Sequence, residues 1–342
     1  MSEHNKDTLL ADWRTRAAQF EEEINRAVVG LDHAVRQIAL AIFARGHVML
    51  EGDVGVGKTT LLRAVARGVG GAYERIEGAI DLMPNDLVYH TYINEHGKPQ
   101  VDPGPILKHG EQLSIFFFNE VNRARPQVHS LLLRVMAERS VTAFNREYFF
   151  PHLQVFADRN RVEKEETFEI PSAARDRFLM ELHIEMPHDP ELQRSLMFNP
   201  RFHDVDRLID GVAPGILPYQ QIAEVGRAIQ HEIQASEALQ LYALNLWEAT
   251  RKPKDFGVRL EGVDMDRLIL AGASARGMSM MMRAARAAAW LAGRGSLIPE
   301  DLQSVFHETV AHRIFFNPVY EMRRSALIGN LTARILDQVA AP

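Results

Sequence analysis

Apolar residues recur at helical spacing over residues 8–27, where Leu9, Leu10, Trp13, Ala17, Phe20 and Ile24 share one face. The spacing predicts an amphipathic helix there and, after the turn "VVG" at 28–30, a second over 32–44. The period then changes. "GHVMLEG" is a short continuous apolar run closed by a glycine, which reads as a buried strand, and the helical pattern of "KTTLLRAVARGVG" follows it directly. Further runs of strand length lie at 72–77, 114–118, 153–157 and 179–184, with helices between the later ones. Strands alternating with helices predict an α/β unit, a five-stranded parallel sheet covered on both faces.

One segment interrupts the alternation. Residues 81–107 carry Leu87, Tyr89 and Tyr92 in alternation and the turn-rich "NEHGKP", a pattern that predicts an inserted β-hairpin. After Met186 the character changes again: "PHDP" marks a break, and from Pro218 the apolar spacing in 221–249, 278–292, 300–314 and 320–339 is helical throughout. The predicted organisation is therefore an α/β core over 1–186 and an all-helical domain over 187–342. Length agrees, because 342 residues exceed the ~250–300 that one hydrophobic core usually serves.

Composition removes several classes of function. Hydrophobic residues make up 46% and charged residues 25%, the balance of a soluble globular protein. The net charge of −6 argues against a broad electrostatic grip on nucleic acid or anionic membrane. Absence of cysteine excludes disulfides, thiolate metal sites and cysteine nucleophiles, and suits a cytoplasmic location. The N-terminus lacks a signal-peptide plan, and no apolar run reaches the ~20 residues of a membrane span. The 14 histidines show no ligand spacing and read as surface or packing residues.

The chemistry concentrates in "GDVGVGKTT", Gly52–Thr60, which matches G-x-x-x-x-G-K-[ST]. Glycines let backbone N–H groups turn toward phosphate oxygens, Lys58 can reach the β- and γ-phosphates, and the Thr59 hydroxyl can ligate Mg²⁺. The helix beginning there adds its N-terminal dipole. A second motif is "IFFFNE": Ile115–Phe118 supply a buried strand, and Glu120 is placed to polarise the attacking water. Asn119 stands where an acid usually faces the metal. In "LQVFADRN" another buried run ends in polar residues, and Asn160 could hydrogen-bond the γ-phosphate and the same water. "PSAARDRF" offers Arg175 and Arg177 as finger arginines for a neighbouring site; the competing reading of each is a surface ion pair. In the helical domain Arg276 stands near the start of a helix that Ser274 could cap, and could couple nucleotide state to domain angle.

Taken in order, these pieces resemble an AAA+ ATPase, and more narrowly the MoxR family, over nearly the whole chain from Val28. The resemblance rests on "VVGLDHAV", "GHVMLEGDVGVGKTT", the hairpin "PNDLVYHTYINE" with "DPGPIL", "NEVNRARPQVHSLLLRVMAERSVT", "IPSAARDRF", "GASARG" and "IPEDLQSVFHETVAHRI". The hairpin resembles the helix-2 insert that this family shares with minichromosome-maintenance helicases and magnesium chelatases. The resemblance implies a phosphate loop of Gly52, Asp53, Val54, Gly55, Val56, Gly57, Lys58, Thr59 and Thr60, with Val28, Val29 and Gly30 near the adenine. It places Asn119 and Glu120 on the second acidic motif, Thr59 and Asn119 toward Mg²⁺, Asn160 on the first sensor and Arg276 on the second, with Arg177 preferred over Arg175 as the finger.

It further implies ATP and Mg²⁺ as cofactors, a homo-oligomeric ring of six, a partner with a von Willebrand factor A domain, and a chaperone-like role in loading metal or cofactor into a client enzyme. "ERIEGAIDLMPNDLVYH" and "FADRNRVEKEETFE" lean toward the branch that matures methanol dehydrogenase, a quinoprotein. Two departures stand out: Asn119 replaces the family's usual Asp, and Arg161 its usual Pro. An Asn oxygen still accepts a hydrogen bond from a metal-bound water but brings no charge, so metal affinity and hydrolysis should fall while nucleotide binding persists. Two alternatives stay open, a nucleotide-gated scaffold that hydrolyses very slowly and a DNA-acting AAA+ protein, the latter opposed by the acidic charge. By charge alone, steady-state assays should find modest wild-type turnover, faster turnover in Asn119→Asp and very little in Glu120→Gln.

Overall fold

The computed structural model describes residues 3–160 and 168–342. Five parallel strands form the central sheet in the order Ala72–Glu77, Leu113–Asn119, Gln154–Arg159, His47–Glu51 and Phe178–His183. All seven residues of Leu113–Asn119 are buried, which is why "LSIFFFN" carries no polar alternation: helices cover both faces. The helix Lys58–Val69 follows the strand His47–Glu51, and Leu61, Leu62 and Val65 bury its inner face in the same core as Phe20 and Ile24 of the first helix, Glu3–Ala27.

His47 shows how the amino end of the sheet, opposite the loop, is closed. Its Nδ1 accepts from the Val155 N–H at 2.9 Å, and its Nε2 lies 3.1 Å from the Met136 carbonyl. Burial, with Arg139 adding to it, pushes its pKa down to about 3, so the ring is neutral and Nε2 carries the donated proton.

The insert is a hairpin of Tyr89–Ile93 and Pro99–Pro103, antiparallel with Tyr89 opposite Pro103, and is preceded by a one-turn helix, Pro84–Val88. Three local features depart from the sequence reading. Residues 140–149, for which the sequence pattern predicted no strand, form a second hairpin of Ser140–Ala143 and Arg146–Phe149, whose turn takes Phe144 and Asn145 through positive φ. Its strands are too short to set up a period. The single helix expected over 221–249 is two, Ile222–Glu232 and Glu237–Arg251, divided where Ser236 caps the second by accepting from the Leu239 N–H at 3.2 Å. Residues beyond Pro218 also include a strand pair, Ile269–Ala271 with Phe315–Phe316. The helices Pro190–Phe198 and Val205–Asp210 precede that region.

Apolar packing runs continuously across position 186. Phe43 stacks edge-on against Trp13 at 6.3 Å and against Trp290 of the helix Ala275–Leu291 at 4.6 Å, so the N-terminal helices share one core with the C-terminal ones. A polar junction adds to this. Arg313, buried to 2% exposure, donates from Nε to Asp176 Oδ1 at 3.0 Å and from its guanidinium to the carbonyls of Asp176, Phe178, Leu179 and Thr309.

Beside it, Arg159 donates to Glu181 at 3.0 Å and stands 3.5 Å from Glu51, while Arg175 lies 3.9 Å from Glu181. Burial raises the Glu181 pKa, but Arg159 and then Arg175 outweigh it and hold the carboxyl down at about 2. A depressed carboxyl pKa stabilises the fold above the unfolded value, ordinarily about 4.3, and that contribution is lost as pH falls toward the folded value. The melting temperature of the wild type should therefore drop between pH 4.5 and the lowest pH at which it stays soluble, and Glu181→Gln should flatten that slope while lowering stability near neutral pH.

Candidate functional site

The phosphate loop leaves the carboxyl end of the strand His47–Glu51, where ligands meet open parallel sheets. Gly52 passes so close to the edge strand that a Cβ would stand 2.2 Å from the Ile184 carbonyl oxygen. Gly57 takes φ +90°, which a side chain would oppose, and its carbonyl accepts the first bond of the helix from the Leu61 N–H at 2.9 Å. Lys58 is buried to 9% exposure and turns back on its own loop, donating to the Gly52 carbonyl at 2.6 Å and the Asp53 carbonyl at 3.4 Å. Its third neighbour is Asp158, whose Oδ2 stands 3.3 Å away.

Asp158 is the residue the sequence reading missed. It lies one position before the end of the strand Gln154–Arg159, between the loop strand and the strand ending at Asn119. Its side chain is 3% exposed, and its Oδ1 accepts from the Glu120 N–H at 2.5 Å. Burial pushes its carboxyl pKa up; the Glu120 N–H and Lys58 pull it the other way. A signal was present in "FADRN": alternation along a strand puts Asp158 and Asn160 on one side and Arg159 on the other. The structure divides them so, with Asp158 and Asn160 lining the loop cavity while Arg159 turns to Glu51 and Glu181.

Around this pair the predicted residues assemble. Val54, Gly55, Val56, Gly57, Lys58, Thr59 and Thr60 line a cavity of about 290 Å³ together with Asn119, Glu120, Asp158 and Asn160. Asn160 is 8% exposed, and its Oδ1 is buried with no hydrogen-bond partner among the described residues. Glu120 stands at φ +52° and ψ +48°, a conformation a non-glycine residue holds only when its surroundings impose it. The bond to Asp158 is one such constraint, and Arg123 donates to the Glu120 carboxylate at 2.9 Å. Val28 and Val29 line an adjoining cavity of about 330 Å³ that shares Gly55, Val56, Gly57 and Thr60 and is closed by Met186, Pro187 and Phe202, an apolar volume beside a polar one. Gly30 is not part of that lining; a Cβ on it would stand 2.5 Å from Pro187 Cγ, so Pro187 packs directly on its backbone.

The arginines are not at this cavity. Arg276 donates to Asp176 Oδ2 at 2.7 Å, and the Ser274 hydroxyl, which caps that helix, donates to Asp176 Oδ1 at 2.6 Å. Arg175 is 13% exposed, engaged with Glu181 and lying over the Phe315 ring at 5.9 Å. Arg177 is half-buried and donates to the Ala173 carbonyl at 2.8 Å. Arg276 and Arg175 are thus held by Asp176 and Glu181 at the junction with the helical region, while Arg177 bonds within its own short helix. Arg161 lies outside the described residues. Among the described residues no group of three or more His, Asp and Glu is disposed to hold a metal, and no helix is long and apolar enough to cross a membrane.

Two family models match the chain: an ATPase family associated with various cellular activities over residues 47–180, and an AAA lid domain over residues 265–329. The chain is 61% identical to Protein MoxR of Methylorubrum extorquens over 98% of either chain. It belongs to the MoxR family of AAA+ ATPases. Within that family it is also 32% identical to Chaperone MoxR1 of Mycobacterium tuberculosis, over 94% of this chain and 81% of that one. A crystal structure of a candidate ATPase from Cytophaga hutchinsonii superposes with a TM-score of 0.82 at 28% identity, covering 99% of this chain and 98% of the other. An AAA+ core followed by a lid is the architecture found here.

Asn119 is not idle at its strand end. Its Nδ2 donates to Glu77 Oε1 at 2.6 Å across the paired strands. A carboxylate there requires a donor, so an acid at 119 would face Glu77 with no proton between them. The expectation from charge alone, a faster Asn119→Asp enzyme, meets this cost. Asn119→Asp should lower the melting temperature near neutral pH, and Asn119→Asp/Glu77→Gln should recover it, as thermal melts of these two variants beside the wild type would show.

Proposed function

We propose that the protein binds ATP with Mg²⁺ and hydrolyses it to drive chaperone-like remodelling, or metal or cofactor loading, of a client enzyme. The observation that carries this reading is the cavity between the loop and the strand ends, where a turned-back Lys58 and an unpartnered Asn160 Oδ1 meet. Both are polar groups whose present surroundings satisfy them only in part, and a triphosphate with its water would complete them. Lys58 would exchange its loop carbonyls for phosphate oxygens; Asn160 Oδ1, an acceptor, would accept a hydrogen bond from the water beside the γ-phosphate, and its Nδ2 could donate to the phosphate itself. Glu120 orients that water. Backbone N–H groups of the loop and the N-terminus of Lys58–Val69 supply fixed positive ends. The donors in the cavity are hydroxyl, amide and carboxylate oxygens, the hard ligands Mg²⁺ takes, with Thr59 and Asn119 among them. When bound, Mg²⁺ neutralises charge on the phosphates.

The apolar cavity beside Val28 and Val29 suits the adenine. The division into a core over 1–186 and a lid over 187–342, a cytoplasmic ring of six in which Arg177 reaches a neighbour's site, and Arg276 as the lid's sensor belong to the same reading. So do a von Willebrand factor A domain partner and a quinoprotein client such as methanol dehydrogenase. The extent of likeness to Protein MoxR supports that branch.

A second reading has its own observation. Arg123 holds the Glu120 carboxylate at 2.9 Å, which slows water activation and suits a nucleotide-gated scaffold. Lys58→Ala should lose binding of a fluorescent ATP analogue by tenfold or more. Measurable phosphate release by the wild type supports the motor; binding without release, with or without the partner, leaves the scaffold. In the host, loss of the gene should leave methanol dehydrogenase polypeptide of low activity, restored by wild type but not by Lys58→Ala.

A further inference from the structure

The acid that should face the metal is missing from Asn119, yet a carboxylate stands one strand away in the same cavity. We propose that Asp158, rather than Asn119, is the protein's anionic contact to the nucleotide-bound divalent cation, so that the charge has moved from the end of Leu113–Asn119 to the neighbouring strand Gln154–Arg159. This rests on the reading of the site as one for ATP with Mg²⁺.

Three observations converge. Asn119 has its amide nitrogen committed to Glu77 at 2.6 Å. Glu77 is no substitute: it sits on the edge strand, its side chain is 57% exposed, and it pairs with Arg75 at 2.9 Å. Asp158, by contrast, is 3% exposed, lines the cavity with Thr59 and with the unpartnered Asn160, and has Lys58 as its single ion-pair partner among the described residues.

The charge balance then sets what must happen when nucleotide arrives. A buried carboxylate needs a counter-charge, and here Lys58 supplies it. Triphosphate draws the Lys58 ammonium to its own oxygens. Asp158 is left with the Glu120 N–H on Oδ1 and a bare Oδ2 in a cavity that has gained negative charge. A divalent cation carried in with the phosphates restores the balance, met by Asp158 directly or through one of its waters, as Mg²⁺ is usually held. Because Asp158 also holds the left-handed Glu120 backbone, the same carboxylate would tie cation arrival to the placement of the water-orienting residue.

The test is binding of a fluorescent ATP analogue to the full chain in EDTA and in Mg²⁺, with Mn²⁺ binding in the presence of ATP followed by electron paramagnetic resonance. Asp158→Asn preserves shape and the acceptor for Glu120. It should bind the analogue in EDTA within about threefold of wild type or more tightly, lose the Mg²⁺ enhancement by about tenfold, and weaken Mn²⁺ to a similar extent. Equal losses with and without metal, or an unchanged Mg²⁺ enhancement, would overturn the assignment and leave Asp158 as a partner of Lys58 only. If the variant does not fold, the wild-type complex with ATP and Mn²⁺ decides: Asp158 ligating the ion or bridged to it by one water supports the proposal, and Asn119 alone in that place overturns it. A wild type that binds no nucleotide overturns the parent reading and this assignment with it.

Discussion

Lys58 and Asp158 stand 3.3 Å apart at the carboxyl end of the sheet, each about nine-tenths buried or more, and neither could remain charged there alone. Much of the site is arranged around that pair. The lysine opens the helix that packs on the sheet, and the aspartate receives the backbone of Glu120, so one interaction fixes the loop, the middle strand and the residue after the next strand relative to one another. It is also a contact that a triphosphate would compete for. A site built on an exchangeable ion pair holds its shape when empty and still has groups to offer a ligand.

A second polar centre performs a comparable task between core and lid. Ser274, Arg276 and Arg313 from the helical region all reach Asp176, and Arg313 takes in addition the backbone carbonyls around it. Arg159, the middle residue of Asp158–Arg159–Asn160, joins Glu51 and Glu181 within this junction. The strand that faces the phosphate loop on one side is therefore tied to the lid contact on the other through consecutive residues.

The fold was legible wherever a segment was long and periodic. The sheet strands and the helices that cover them appeared as uninterrupted apolar runs and 3.6-residue stripes, because burial on both faces or on one leaves that mark. Short elements left none: Ser140–Ala143, Ile269–Ala271 and Phe315–Phe316 are too brief to carry a period, and their pairing is decided by distant residues. The interruption of 221–249 depended on one capping serine in a stretch whose composition stays helical on both sides.

For the site, the amino-acid sequence by itself determined the phosphate loop, because its glycines and Lys58 act within nine consecutive residues and their meaning does not depend on the rest of the chain. It also determined that Glu120 and Asn160 end apolar strands. The tertiary structure alone decided what stands beside them. The partners of Asn119, Asp158 and Arg276 are 42, 100 and 100 residues away in Glu77, Lys58 and Asp176, separations across which sequence spacing carries no information about contact. Only parallel pairing of strands from distant parts of the chain brings a neutral amide to Glu77 and a buried carboxylate to Lys58, and so decides where the negative charge of this site lies.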